Sequence, residues 1–156
     1  MTKKSKSELA SQKFEEGFNC AQSSFYPFAI NTGVSEKEAL KLTTAFGVGM
    51  IYRGEMCGAI TGAMMALGLK YGRDKAEDAD AKELTYFLVK ELHDRFEKKF
   101  GSILCKELLE LNNTNPESWE IANKNEHFKN RCPMFVAEAV GITETLIQNI
   151  EKWKQD

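Results

Sequence analysis

Closely spaced cysteine pairs are missing from this 156-residue sequence: its four cysteines, Cys20, Cys57, Cys105 and Cys132, lie 37, 48 and 27 residues apart. That spacing argues against an ordinary zinc site, which takes its ligands from two-residue chelate loops, and against a thioredoxin-like Cys-x-x-Cys motif. With no Cys-x-x-Cys-His there is also no c-type haem attachment. Proline is scarce, at three residues, and no Gly/Ser/Pro linker, low-complexity tract or repeat occurs, so residues 1–156 read as one domain. Charge of one sign is lacking as well. Lys and Arg number 21 against 23 Asp and Glu, which provides no broad field for a phosphate backbone and excludes nucleic acid as the expected partner. The longest nearly uncharged apolar run, Met56 to Leu69, has 14 residues; it is too short for a membrane span and has the length of a buried helix. The basic start, Met1 to Glu8, leads into a charged helical pattern and not an apolar signal region, so the expectation is a cytoplasmic protein. No Ser/His/Asp order, phosphate loop or dinucleotide fingerprint stands out.

Strict alternation of β-branched residues is absent, while apolar residues recur at helical spacing almost throughout, which predicts an all-α fold, a bundle of about five main helices. The first helix runs from a capping box at Ser5 and Glu8 to about Phe28, with a stripe of Phe14, Phe18, Ala21, Phe25 and Phe28. A short second helix starts at Ser35 with Glu38 and carries Ala39, Leu40, Leu42, Thr43 and Phe46. Gly47, Gly49 and Gly54 form a flexible connection to a third helix, Cys57 to about Tyr71, which is apolar all round and belongs at the centre. After a solvated stretch, Arg73 to Ala81, a long amphipathic helix carries Leu84, Phe87, Leu88, Leu92, Phe96 and Phe100 and stops at Gly101. Ser102 caps a short helix holding Cys105, Leu108 and Leu109. The stretch Asn112 to Arg131, with six Asn, reads as a surface excursion or lid in which Pro116 opens a helical turn. The last helix starts at Cys132-Pro133 with a stripe of Phe135, Ala139, Val140, Thr143, Leu146, Ile147, Ile150 and Trp153.

On this map Cys57, Cys105 and Cys132 fall at helix starts, where free N–H groups and the positive end of the helix dipole favour a thiolate. Cys20 falls mid-helix, on a face shared with Gly17 and Ser24 that admits close approach, and Gly58, Gly62 and Ala66 give the central helix a matching small-residue face. Free cysteine also serves as a small buried hydrophobe, so packing competes with chemistry at each position. Acting together, the four thiols allow either thiol–disulfide cycling or ligation of a metal or iron–sulfur cluster by dispersed residues of a bundle.

The order Cys20, Cys57-Gly58-Ala59-Ile60-Thr61-Gly62, Cys105, Cys132 resembles the family named for its C_GCAxxG_C_C pattern. Gly17-Phe18-Asn19-Cys20-Ala21-Gln22 and Gly47-x-Gly49-Met50 fit the same pattern, and the resemblance covers about residues 14–140. The central motif here reads Cys-Gly-Ala, whereas the family name writes Gly-Cys-Ala. What the resemblance implies is a redox role assigned from the cysteines, without a substrate. A domain of split-Soret cytochromes is similar, and there the resemblance implies a cluster near haem; this chain lacks the haem motif, so only the cluster could transfer.

The expected site is therefore Cys20, Cys57, Cys105 and Cys132, as ligands of an iron–sulfur cluster or other thiolate-bound metal, or as a dithiol system. In the dithiol case Cys57 is the nucleophile and Cys20 or Cys132 resolves. Either makes the chain a thiol or iron–sulfur oxidoreductase with an electron-transfer or thiol partner, and a homodimer is compatible with the pattern. The reading from another class is a non-catalytic helical interaction or accessory module whose cysteines only pack. Arg53, Glu55 and Arg131 lie beside the thiols in sequence, yet a solvated loop charge is the favoured account of each. His93 reads as a core-edge histidine and His127 as a polar group of the excursion, outside the site. Asp74, Asp78 and Asp80 lack a calcium-loop pattern, and Met50, Met56, Met64 and Met65 read as apolar filling.

Overall fold

The structure, a computed structural model, describes residues 4–155; the basic start at Met1–Lys3, part of the expectation about targeting, lies outside the described residues. Among them the chain is helical with no strand, as the apolar periodicity predicts. The expectation of about five main helices is corrected upward, because the first one divides and the polar excursion carries another.

Helix α1 (Lys6–Glu15) starts at the capping box of Ser5 and Glu8. It ends before Gly17, whose φ of +97° suits glycine, and a second capping box, Asn19 with Gln22, launches α2 (Cys20–Ala29). The side chain of Asn19 accepts from the N–H groups of Ala21 and Gln22. Cys20 is thus the first residue of a helix and not a mid-helix residue, which corrects the sequence reading.

Helix α3 (Glu36–Thr43) has the predicted cap of Ser35 and Glu38 and runs into a 3-10 turn, Thr44–Phe46. The glycine-rich connection is not loose chain. Val48 to Tyr52 form α4, a single left-handed turn in which all five residues have φ between +52° and +63°, and the N–H of Ile51 donates to the Gly47 carbonyl at 3.0 Å. Left-handed turns cost L-residues about 1–2 kcal/mol each, and Val48 and Ile51 are β-branched.

Helix α5 (Gly58–Tyr71) packs on α2, on α6 (Ala79–Phe100) and on α10 (Cys132–Trp153), and its first six residues are all buried, so it is central as expected. Its small-residue face works as predicted: a Cβ on Gly62 would meet the Ser24 hydroxyl at 2.1 Å and the Ala21 carbonyl at 2.3 Å. Helix α1 closes the bundle against α2 and α10. Lys13, buried, bonds Glu16 and Glu36 at 2.7 Å each and so ties α1 to α3.

The one-turn α7 (Cys105–Leu108) is capped by Leu104, not Ser102; the Ser102 hydroxyl instead accepts from the Leu104 N–H. A Met56–Leu104 bridge and the Cys57 N–H to Ile103 carbonyl bond, 2.8 Å, tie this region to the start of α5. The excursion folds into α8 (Pro116–Lys124), capped by Asn115, and the one-turn α9 (His127–Asn130). Leu42, Phe87 and Trp153, expected in core stripes, are instead 59%, 56% and 76% exposed, while Ala39, Leu88, Leu92, Phe96, Ala139 and Leu146 of the same stripes are buried.

Candidate functional site

Each of the four cysteines stands at the start of a helix: Cys20, Cys105 and Cys132 are the first residues of α2, α7 and α10, and Cys57 is the N-cap of α5. These elements come from distant parts of the sequence, yet all four thiols line one cavity of about 230 Å³. Phe14 and Phe18 from the α1–α2 elbow, Val48 from α4, Phe128 from α9 and Phe135 from α10 form part of its wall, with Asn19, Leu108 and Leu109 beside them. No sequence signal marked Val48 or Phe128 as lining a site. The Asn19-x-x-Gln22 spacing did carry the signal that places Cys20 at a helix start.

Backbone is pressed against sulfur on two sides. A Cβ on Gly58 would meet the Cys20 Sγ at 2.3 Å, and one on Gly49 would meet the Cys105 Cβ at 2.6 Å and its Sγ at 3.1 Å. The N–H groups of Val48, Ala21 and Gly58, with its own, point at the Cys20 sulfur.

All four thiols are buried and unpaired. The expected drop in thiol pKa is overturned. Burial in apolar surroundings, the largest influence on each, pushes Cys20 and Cys132 up, Cys105 up to about 12 from an ordinary 9.0, and Cys57 well above it. The other three thiols, as like charges if ionised, push Cys57 further up. Removing the solvent shell of a thiolate costs more than a few N–H donors and helix ends return, so the metal-free site rests as four neutral thiols.

Asn19 is the polar residue of the cavity wall, and Arg131 does not line it. Arg131 donates to the Leu108 carbonyl at 3.1 Å and pairs with Glu110. His127 Nδ1 donates to the Leu109 carbonyl at 3.0 Å, and His93 Nε2 lies 3.4 Å from the Met64 sulfur. Neither histidine lines the cavity.

Among the described residues, no group of three or more His, Cys, Asp or Glu side chains is placed to hold a metal ion. A single tetrahedral ion draws thiolates to about 2.3 Å from one point, and these sulfurs stand around a volume instead. That volume is more than ten times what one water molecule needs, roughly 10–15 Å³, and falls below the 300–1,000 Å³ of ordinary organic-ligand pockets. The donor set, four sulfurs around a small apolar space, suits a compact polynuclear centre.

A family model described as "Putative redox-active protein (C_GCAxxG_C_C)" matches residues 18–146. No curated protein and no solved structure matches the chain.

Proposed function

We propose, from the premise that the chain belongs to the C_GCAxxG_C_C family, that it is a redox protein whose Cys20, Cys57, Cys105 and Cys132 together hold an iron–sulfur cluster or related polynuclear metal centre. The observation that carries this reading is the single cavity lined by thiols from four separate helix starts. Ordinary cores are packed without such voids, so cysteines that served only as filling would close upon one another. Burial also works against the dithiol alternative, because the attacking species in thiol exchange is the exposed thiolate, and these thiols are buried with raised pKa values.

When bound, such a centre takes up and returns an electron. The chain's own part is to hold four sulfurs, exclude water and tune charge. Phe14, Phe18, Phe128 and Phe135 give the cavity apolar walls. The N–H groups aimed at the Cys20 sulfur stabilise added negative charge and so favour the reduced state. The positive ends of α2, α5 and α10 act in the same direction. Loading requires the thiol protons to leave, so affinity should rise with pH. In this reading residues 1–156 act as one unit in the cytoplasm, where thiols stay reduced, and pass electrons to a soluble partner.

The test is anaerobic purification followed by an optical spectrum, iron, sulfide and zinc analysis, and a thiol count before and after mild oxidation. Visible absorption with stoichiometric iron and sulfide is expected. Colourless, metal-free protein that cannot be reconstituted with iron and sulfide would overturn the reading: paired thiol loss would then favour the dithiol system, and inert thiols the packing account.

A further inference from the structure

The left-handed turn α4 forms part of the cavity wall through Val48, and it is held in a conformation that its own residues disfavour. Four of its five members are not glycine, and all have φ between +52° and +63°. Something outside the turn must keep it so. The indole N–H of Trp119, on α8, donates to the Tyr52 carbonyl at 2.9 Å, and the two rings meet edge to face at 5.3 Å. Trp119 also stacks on Phe128 at 5.9 Å, and Phe128 lines the cysteine cavity. One buried side chain therefore grips two of the wall pieces, α4 and Phe128. Behind α4 lies a hollow of about 380 Å³ bounded by Val48, Tyr52, Trp119 and Phe128, so the turn has space to move once released.

We infer that Trp119 is a positioning residue that latches α4 and Phe128 over the cavity, and that breaking its bond to the Tyr52 carbonyl opens the route by which the four cysteines are reached. The inference rests on the cysteines being the working site, as proposed above. Strain in α4 supplies the tendency to open, and the α8–α9 strap opposes it. The partner chemistry this admits is small: metal ions and sulfide during assembly, or a thiol-reactive reagent in the laboratory.

The experiment measures labelling rates of each cysteine, resolved by peptide mass mapping, in the reduced, metal-free full chain at one fixed pH. Trp119→Phe keeps the ring stacking and removes the N–H. It should speed labelling of the cysteines about five- to tenfold, the range one net hydrogen bond gives to a local opening. Ile51→Gly removes a β-branched side chain at φ +57° where that residue is 52% exposed. It should slow labelling by a similar factor, because glycine relieves the turn. The double variant should return near the wild-type rate.

Wild-type rates in Trp119→Phe, or faster labelling in Ile51→Gly, would overturn the latch, since ordinary loosening of a helix by glycine gives the second result. If Trp119→Phe fails to unfold cooperatively, Ile51→Gly alone decides, slowing supporting the latch and no change or acceleration overturning it. Absence of iron and sulfide in reconstituted wild-type protein would sink the cluster reading and leave these labelling rates unaffected, so the two failures are separable.

Discussion

A cysteine at a helix start and a cysteine in an apolar cavity face opposite influences, and here each thiol has both. Burial dominates, which sets a sign for stability. Each folded thiol has a raised pKa, so between the unfolded value near 9.0 and the folded values the unfolded chain gives up protons that the fold retains. The metal-free protein should therefore be fully supported by its thiols below about pH 9 and lose stability as pH rises beyond it, toward the Cys105 value of about 12. Denaturant midpoints from pH 7 to 10.5 check this, and Cys105→Ala should flatten the slope. Gly58 offers a second test at the same scale. A methyl there would meet the Cys20 sulfur at 2.3 Å and the Ala21 and Gly47 backbone at 3.0 Å, with no flexible side-chain end to give way. Gly58→Ala should cost about 1–3 kcal/mol by overpacking and abolish stoichiometric iron in the reconstituted protein.

Among the elements, the break between α1 and α2 decides where Cys20 stands. The apolar stripe Phe14, Phe18, Ala21, Phe25 continues across Gly17 at helical spacing, and for that reason the sequence reads as one helix. The capping pair Asn19 and Gln22 outweighs it, because it satisfies free N–H groups at the new start. Asn19→Ala should lower stability by about 1 kcal/mol, read as a shifted urea midpoint. It also removes the Asn19 bond to the Thr44 carbonyl, 2.9 Å, and should lower iron occupancy by loosening Cys20. The caps at Ser5 and Ser35, the proline in the first turn of α10 and the stop at Gly101 were legible because each is a local signal with a local physical cause. Helix α4 was illegible for the converse reason. Val48, Met50, Ile51 and Tyr52 prefer other backbone conformations, and the bond that Trp119 makes to the turn comes from a residue far along the sequence.

Across the whole molecule, α5 serves as the buried axis, and apart from buried Lys13 the ion-paired side chains are exposed or partly exposed. Hydrogen bonds and cations hold the exposed carboxylates of Glu8, Glu16, Glu38, Glu110 and Glu151 below their ordinary 4.5. Their contribution is present above the unfolded value and is lost as pH falls through it toward the lower folded values. Half-buried His93, whose pKa burial pushes down from 6.5, takes up its proton more readily unfolded, so it removes stability as pH falls below about 6.5. Thermal unfolding should thus show a mild decline from about pH 6.5 and a steeper one below 4.5. His93→Gln should remove the first step and leave the second.

By itself the sequence determined that the chain is helical, that α5 lies at the centre, and that four cysteines are the residues to watch. Periodicity, capping chemistry and an uncharged apolar run act over one or two helical turns and need no knowledge of the rest of the chain. Only the tertiary structure decided that Cys20 joins the other three at a helix start, that the four thiols share one cavity, and that burial pushes their pKa values up instead of down. Those outcomes depend on which distant elements meet and how much water they exclude. The desolvation of a thiol is a property of everything packed around it, and the left-handed turn beside it is bonded to a strap that lies far along the sequence.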